Sequence, residues 1–157
     1  MNVYVLSKLG YNDLIDKLNI TNKNISDKDV FIISINDTSS DEPRLRNNQN
    51  VKVLYFDDTD KDIIVPIIGT ETKVKAKAFT RKQAEELLDF IENNKTKSNC
   101  VVHCSAGISR SGAVATFIVD YFNLDWFKFK NDNPHIHPNN HVLKLLKMVL
   151  REKSKNE

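Results

Sequence analysis

Four short stretches of the chain, residues 3–6, 30–35, 51–56 and 100–104, are rich in Val and Ile and show little polar alternation. A strand with one wet face alternates apolar and polar side chains, because successive residues point to opposite faces. Strands without that alternation are covered on both sides, as in a sheet sandwiched between helices. The strands of this chain therefore belong to a buried, α/β-type sheet.

Helical patterns lie between and after these runs. Leu14, Ile15 and Leu18 predict a short first helix. Thr80 and Gln83 form a capping-box pattern, followed by Ala84, Leu87, Leu88 and Ile91 on one face. Residues 111–122 are apolar nearly all round and predict a buried helix, whereas Val142, Leu145, Leu146 and Val149 form a single stripe on the last one. Strands alternating with helices predict a central, mostly parallel sheet flanked by helices. Residues 38–50 are polar, contain Pro43 and read as a loop. Residues 72–78 alternate like an exposed strand, a pattern an extended loop matches equally well. With 157 residues and no repeat or linker, the chain is expected to be one domain over residues 1–157.

Composition narrows the function classes. A formal net charge of +2, from 23 basic and 21 acidic side chains, gives no nucleic-acid footprint. No stretch has the length of a membrane span, and the N-terminus lacks the apolar run of a signal peptide. Cys100 and Cys104 are four apart in an apolar run. At about 3.3 Å per residue they lie too far apart along a strand to bridge. A reducing, cytoplasmic setting is therefore expected. No Gly-x-x-x-x-Gly-Lys-Ser/Thr loop is present, so nucleotide hydrolysis of that type is not supported. His135, His137 and His141 lack cysteine or carboxylate partners at ligand spacing and read as surface residues, not metal ligands. Trp126, Phe127 and Phe129 are expected to bury against the core.

The chemistry concentrates in Val101-Val102-His103-Cys104-Ser105-Ala106-Gly107-Ile108-Ser109-Arg110-Ser111-Gly112. An apolar strand ends in a cysteine, a short loop returns the chain, an arginine follows and a buried helix begins. Such a turn aims backbone N–H groups at one point, and the helix N-terminus adds partial positive charge. That concavity suits a phosphate, and it lowers a cysteine pKa from about 8.5 into the range of roughly 3.5–7.5. Gly107 permits the tight turn. Arg110 offers a planar fork to two phosphate oxygens. Ser111 is placed to hydrogen-bond the sulfur.

These residues resemble the Cys-x5-Arg signature of the protein tyrosine phosphatase superfamily, and the string His-Cys-Ser-Ala-Gly-Ile-Ser-Arg-Ser is most similar to its dual-specificity branch. The resemblance covers approximately residues 51–150. It implies Cys104 as nucleophile and Arg110 as phosphate clamp, with the amides of Ser105, Ala106, Gly107, Ile108 and Ser109 holding phosphate oxygens. It also implies that His103 orients the loop. No metal or cofactor enters that mechanism. Asp57, Asp58 and Asp60 sit at a strand end, where α/β sites gather. The resemblance puts Asp58 on the general-acid position, with Asp57 and Asp60 as alternatives, although the segment from Asp58 to Cys104 is longer than usual for that branch. Pro138-Asn139 resembles a further motif of the branch, and helix capping by Asn accounts for it.

The implied activity is hydrolysis of phosphotyrosine on a protein substrate, with phosphoserine or phosphothreonine as further substrates. The loop carries no lysine, which disfavours a polyphosphoinositide. An RNA 5′-phosphatase and a non-catalytic reader of phosphoproteins are the rival readings.

Overall fold

The computed structural model describes residues 1–40 and 42–156. Six strands form, β1 (Asn2–Leu6), β2 (Val30–Asn36), β3 (Val51–Tyr55), β4 (Ile63–Pro66), β5 (Lys73–Ala76) and β6 (Asn99–His103). Five helices accompany them: α1 (Lys8–Lys17), α2 (Arg81–Asn93), α3 (Arg110–Tyr121), α4 (Trp126–Asp132) and α5 (Asn140–Lys155). The four apolar runs pair in the order β1-β6-β2-β3, and every pairing among them is parallel.

The missing alternation has a direct cause. Phe31, Ile33 and Ile35 of β2 point into a core shared with α2, α3 and α5. Ile32 points the other way, into a second core with Tyr11 and Ile15 of α1. Both faces of the strand are therefore dry, and both must be apolar. Helix α3 runs through the first core, with every residue from Arg110 to Val119 buried. Among the described residues no helix is long and apolar enough to cross a membrane.

Helix starts follow their caps. Ser7 accepts from Gly10 N at the start of α1, the Thr80–Gln83 capping box opens α2, and Asn139 accepts from Val142 N at α5. The first helix buries Tyr11 and Ile15, whereas Leu18, expected on its apolar stripe, is the exposed C-cap residue. Helix α4 was not expected. Asp125 caps it, and it turns only Phe129 inward, so Trp126 and Phe127 remain exposed instead of buried. So short a helix has only one inward face, and Lys130 covers the Trp126 ring from outside at 5.9 Å. Residues 38–40 and 42–50 form a loop as expected, with Asp41 outside the described residues. Residues 63–76 settle the open segment: β4 and β5 make an antiparallel hairpin separate from the parallel sheet.

Asparagine side chains occupy the outer ladders of both border strands. Asn133 accepts from Val5 N at 2.7 Å and donates to Val3 O at 2.9 Å along β1. Asn47 and Asn48 accept from Val53 N and Val51 N along β3, at 2.6 and 2.9 Å.

The parallel register also sets Ser34 beside His103. Asn36 Nδ2 donates to Ser34 Oγ at 3.2 Å, Ser34 Oγ lies 2.6 Å from His103 Nε2, and His103 Nδ1 lies 3.3 Å from Cys104 O. Because the Cys104 carbonyl can only accept, Nδ1 carries the ring proton and the Ser34 hydroxyl donates to Nε2. Tyr11 stacks on the ring at 4.0 Å. Burial pushes the His103 pKa down to about 4; the Cys104 carbonyl opposes that shift, and the Lys8 and Arg110 charges reinforce it. A folded-state value below the unfolded value of about 6.5 means that acid favours the unfolded chain as pH falls from about 6.5 toward 4. Between pH 7.5 and 5 this one group should remove roughly 2 kcal/mol of stability. Urea midpoints at the two pH values should show a smaller loss in His103→Gln. An equal loss in both proteins would contradict a buried neutral histidine.

Candidate active site

The loop from Cys104 to Ser109 joins β6 to α3 and is held from two sides. On one side Lys8 N donates to Ser105 O at 3.1 Å. On the other, His137 N donates to Ile108 O and Asn139 N to Ser109 O, each at 3.0 Å. Gly107 has φ +70° and crosses the end of β1 so closely that a Cβ there would stand 2.5 Å from Leu6 C and Ser7 N. Only glycine satisfies both the dihedral and the contact.

Cys104 lies at the base of this loop, 2% exposed, with its sulfur 3.0 Å from Ser111 Oγ. Burial acts to raise its pKa, but hydrogen bonds from the Ser111 hydroxyl and from the Ser111, Ile108 and Gly107 N–H groups outweigh it and hold the thiol below its ordinary value. Ser109 does not cap α3 with its side chain, so the positive end of that helix faces the loop without a side-chain cap. Cys100, by contrast, is fully buried with its pKa driven well up by burial, and both cysteines are free thiols. Ser105 and Ala106 face outward, and Ile108 is exposed.

Arg110 is buried, and its guanidinium is tied down at one end. Nη1 donates to Asp37 Oδ1 at 2.7 Å and to Phe56 O at 2.8 Å, and Nη2 donates to Ser105 Oγ at 3.3 Å. A guanidinium has five N–H donors. Among the described residues the Nε–H and one Nη2–H keep no protein partner. Those two groups lie on neighbouring nitrogens, the side-on fork that fits two oxygens of one anion.

The three candidate acids differ in their surroundings. Asp58 Oδ1 accepts from Ser109 Oγ at 2.9 Å and from Asn139 Nδ2 at 2.8 Å, which fixes its carboxyl group at the rim of the loop. Both bonds fall on one oxygen, and Oδ2 has no hydrogen-bond partner among the described residues. Asp57 accepts from Thr38 N, Thr38 Oγ1 and Lys77 N. Burial acts to raise its pKa, but these bonds and the nearby Arg110 charge bring it below the ordinary carboxyl value. Asp60, like Asp58, is exposed. His135 and His137 are also exposed, and His141 Nε2 faces Phe79 O at 2.9 Å.

Two contributors were not read from the sequence. Asp37, just beyond β2, grips Arg110 and also accepts from Ser105 Oγ at 3.1 Å. The rule that α/β sites collect at the carboxyl ends of strands points to it. Asn139 caps α5 with Oδ1, as expected, but its Nδ2 also reaches Asp58. Capping was therefore half of its role.

The fold and this loop define a class of protein built around a cysteine in an anion-binding turn. The family model of protein-tyrosine phosphatases matches residues 16–154, and the chain belongs to that family. Its fold is similar to that of human DUSP28, with a TM-score of 0.53 at 14% identity over 99% of this chain and 95% of that one. It is also similar to the human tyrosine phosphatase-like serine/threonine/tyrosine-interacting protein, with a TM-score of 0.52 at 18% identity over 90% and 83% of the two chains. DUSP15 gives 0.51 at 24% identity over 98% and 86%. No curated protein matches the chain.

Gly107→Ala tests the loop closure. A Cβ 2.5 Å from backbone atoms at positive φ should cost at least about 2 kcal/mol and open the loop. Thermal unfolding and thiol titration should show a lower Tm and a Cys104 pKa moved toward the ordinary value. A variant with wild-type Tm and thiol reactivity would refute the closure.

Proposed function

We propose that the chain is a cysteine-dependent phosphatase that hydrolyses phosphotyrosine, and also phosphoserine and phosphothreonine, on proteins. The observation that carries this reading is the Cys104 thiol, held below its ordinary pKa by converging donors, in the same loop as the free fork of Arg110. Family membership supports phosphatase chemistry.

The steps follow from the positions. Cys104 thiolate attacks phosphorus in line, forming the S–P bond as the bond to the leaving oxygen breaks. Asp58 delivers the proton from Oδ2 to that oxygen, so a neutral hydroxyl leaves. The loop amides and the Arg110 fork hold the equatorial oxygens and stabilise the charge that develops on them. Asp58, now a carboxylate, takes a proton from water; the water oxygen attacks phosphorus and the S–P bond breaks. The Ser111 hydroxyl stabilises the sulfur anion as it departs, and inorganic phosphate is released. His103 stays neutral throughout and keeps the Cys104 carbonyl in place.

Wild-type protein should hydrolyse a simple aryl phosphate, and Cys104→Ser should not. Rapid quench should trap phosphate on Cys104, locatable by mass spectrometry. The acid limb of kcat/KM should fall below the ordinary thiol value of about 8.5. Phosphopeptide binding without turnover would replace the enzyme reading with a non-catalytic one. Asp58→Asn should slow substrates with poor leaving groups by about 10²–10⁴ and erase the basic limb of the pH profile. If Asp57→Asn did so instead, the acid would be misassigned.

A further inference from the structure

Among the described residues, the β4–β5 hairpin contributes to neither hydrophobic core. All four residues of β4 are exposed, and Ile64, Ile68 and Val74 are large apolar groups left in solvent. Register fixes what each face carries. Ile63 pairs with Ala76 and Val65 with Val74, so these four share one side; Ile64 with Lys75 and Pro66 with Lys73 share the other.

The hairpin walls a cleft of about 470 Å³, with Val65, Val74, Lys75 and Lys77 on one side and Asp37 and Thr38 on the other. That volume lies within the range of about 300–1,000 Å³ typical of ligand clefts. It adjoins the catalytic loop, because Asp37 belongs to both: the carboxylate lining the cleft is the one bound to Arg110 and Ser105. The hairpin is also fixed to the acid segment. Asp57 N donates to Lys77 O at 2.7 Å, Lys77 N to Asp57 Oδ2 at 2.8 Å, and Ala78 N to Asp62 Oδ1 at 3.0 Å.

Charge does not distinguish the cleft. Asp37 pairs with Arg110, and Lys75 pairs with Asp62 at 3.6 Å on the hairpin face opposite Val65 and Val74. Asp57 keeps its negative charge beneath three neutral donors, and the Lys77 ammonium has no ion pair among the described residues. The distinguishing feature is the apolar wall of Val65 and Val74.

We propose that this cleft binds the segment of a phosphoprotein substrate that flanks the phosphorylated residue, and that it selects a segment bearing an apolar residue. The inference rests on the phosphatase reading. The apolar face that borders the catalytic loop favours a substrate segment over a lipid surface, which would meet Ile64 and Lys73 on the opposite face.

The test compares two phosphotyrosine peptides of equal length, one with Leu-Ser flanks and one with Gly-Ser flanks, against a simple aryl phosphate. Wild-type kcat/KM should favour the Leu-Ser peptide by about tenfold. Val65→Ser with Val74→Ser should bring that ratio toward one. Ile64→Ser, on the opposite face of the same hairpin, should leave the ratio unchanged, an outcome that mere loosening of the hairpin would not produce. Equal kcat/KM for both flanks, or a preference that survives Val65→Ser with Val74→Ser, overturns the proposal. If wild type turns over no substrate at all, the enzyme reading fails separately. Fluorescence anisotropy of the same labelled peptides then reads the preference directly, and its absence overturns the cleft assignment. Retention on phosphatidylserine vesicles that is lost in Ile64→Ser with Ile68→Ser, with no peptide preference, would reassign the hairpin to membranes and overturn it too.

Discussion

The loop after β6 can exist only because the chain crosses the end of β1 without a side chain. Gly107 approaches the Leu6–Ser7 peptide at a distance that leaves no room for a Cβ. That contact pulls the loop down over β1, where Lys8 N donates to Ser105 O, and it directs the following residues into α3. Ser111 then falls beside the Cys104 sulfur, and Arg110 is carried back across the loop. Residues 137–139 close the opposite side. The rest of the site is arranged around this one close passage of two backbones.

Arg110 shows how a buried cation is kept usable. An unpaired guanidinium in the interior would be strongly destabilising, so Asp37 and Phe56 O satisfy one nitrogen. Satisfying all five donors would have left nothing for an anion. The protein neutralises the charge from one end and keeps the other end open. Asp58 is handled in the same way: both hydrogen bonds fall on a single oxygen, which fixes direction without occupying the whole carboxyl group.

What could be read from the sequence is what is encoded locally. The missing alternation in the strand runs reports burial on both faces, and the all-apolar α3 reports its central place. The loop after β6 stands out because its cysteine, glycine, arginine and serine all lie within one short window of sequence. Asp37 and the second hydrogen bond of Asn139 depend on strand order and on where α5 begins, which no window of sequence contains. Helix α4 failed for a related reason. Its three aromatic residues look alike in composition, and only packing decides that Phe129 goes inward while Phe127 stays out. The β4–β5 segment could not be decided because its alternation has no core to answer to.

Asparagine is abundant in this chain, and at the two margins of the sheet it acts as a stopper. Asn133 takes up the outer groups of β1, while Asn47 and Asn48 do the same along β3. A parallel sheet with open margins would offer a template to any other extended chain, including a second copy of itself. Here the ladder ends in side-chain amides on both flanks, with Lys52 adding a charge on β3, so sideways growth into polymers is opposed without proline at those margins.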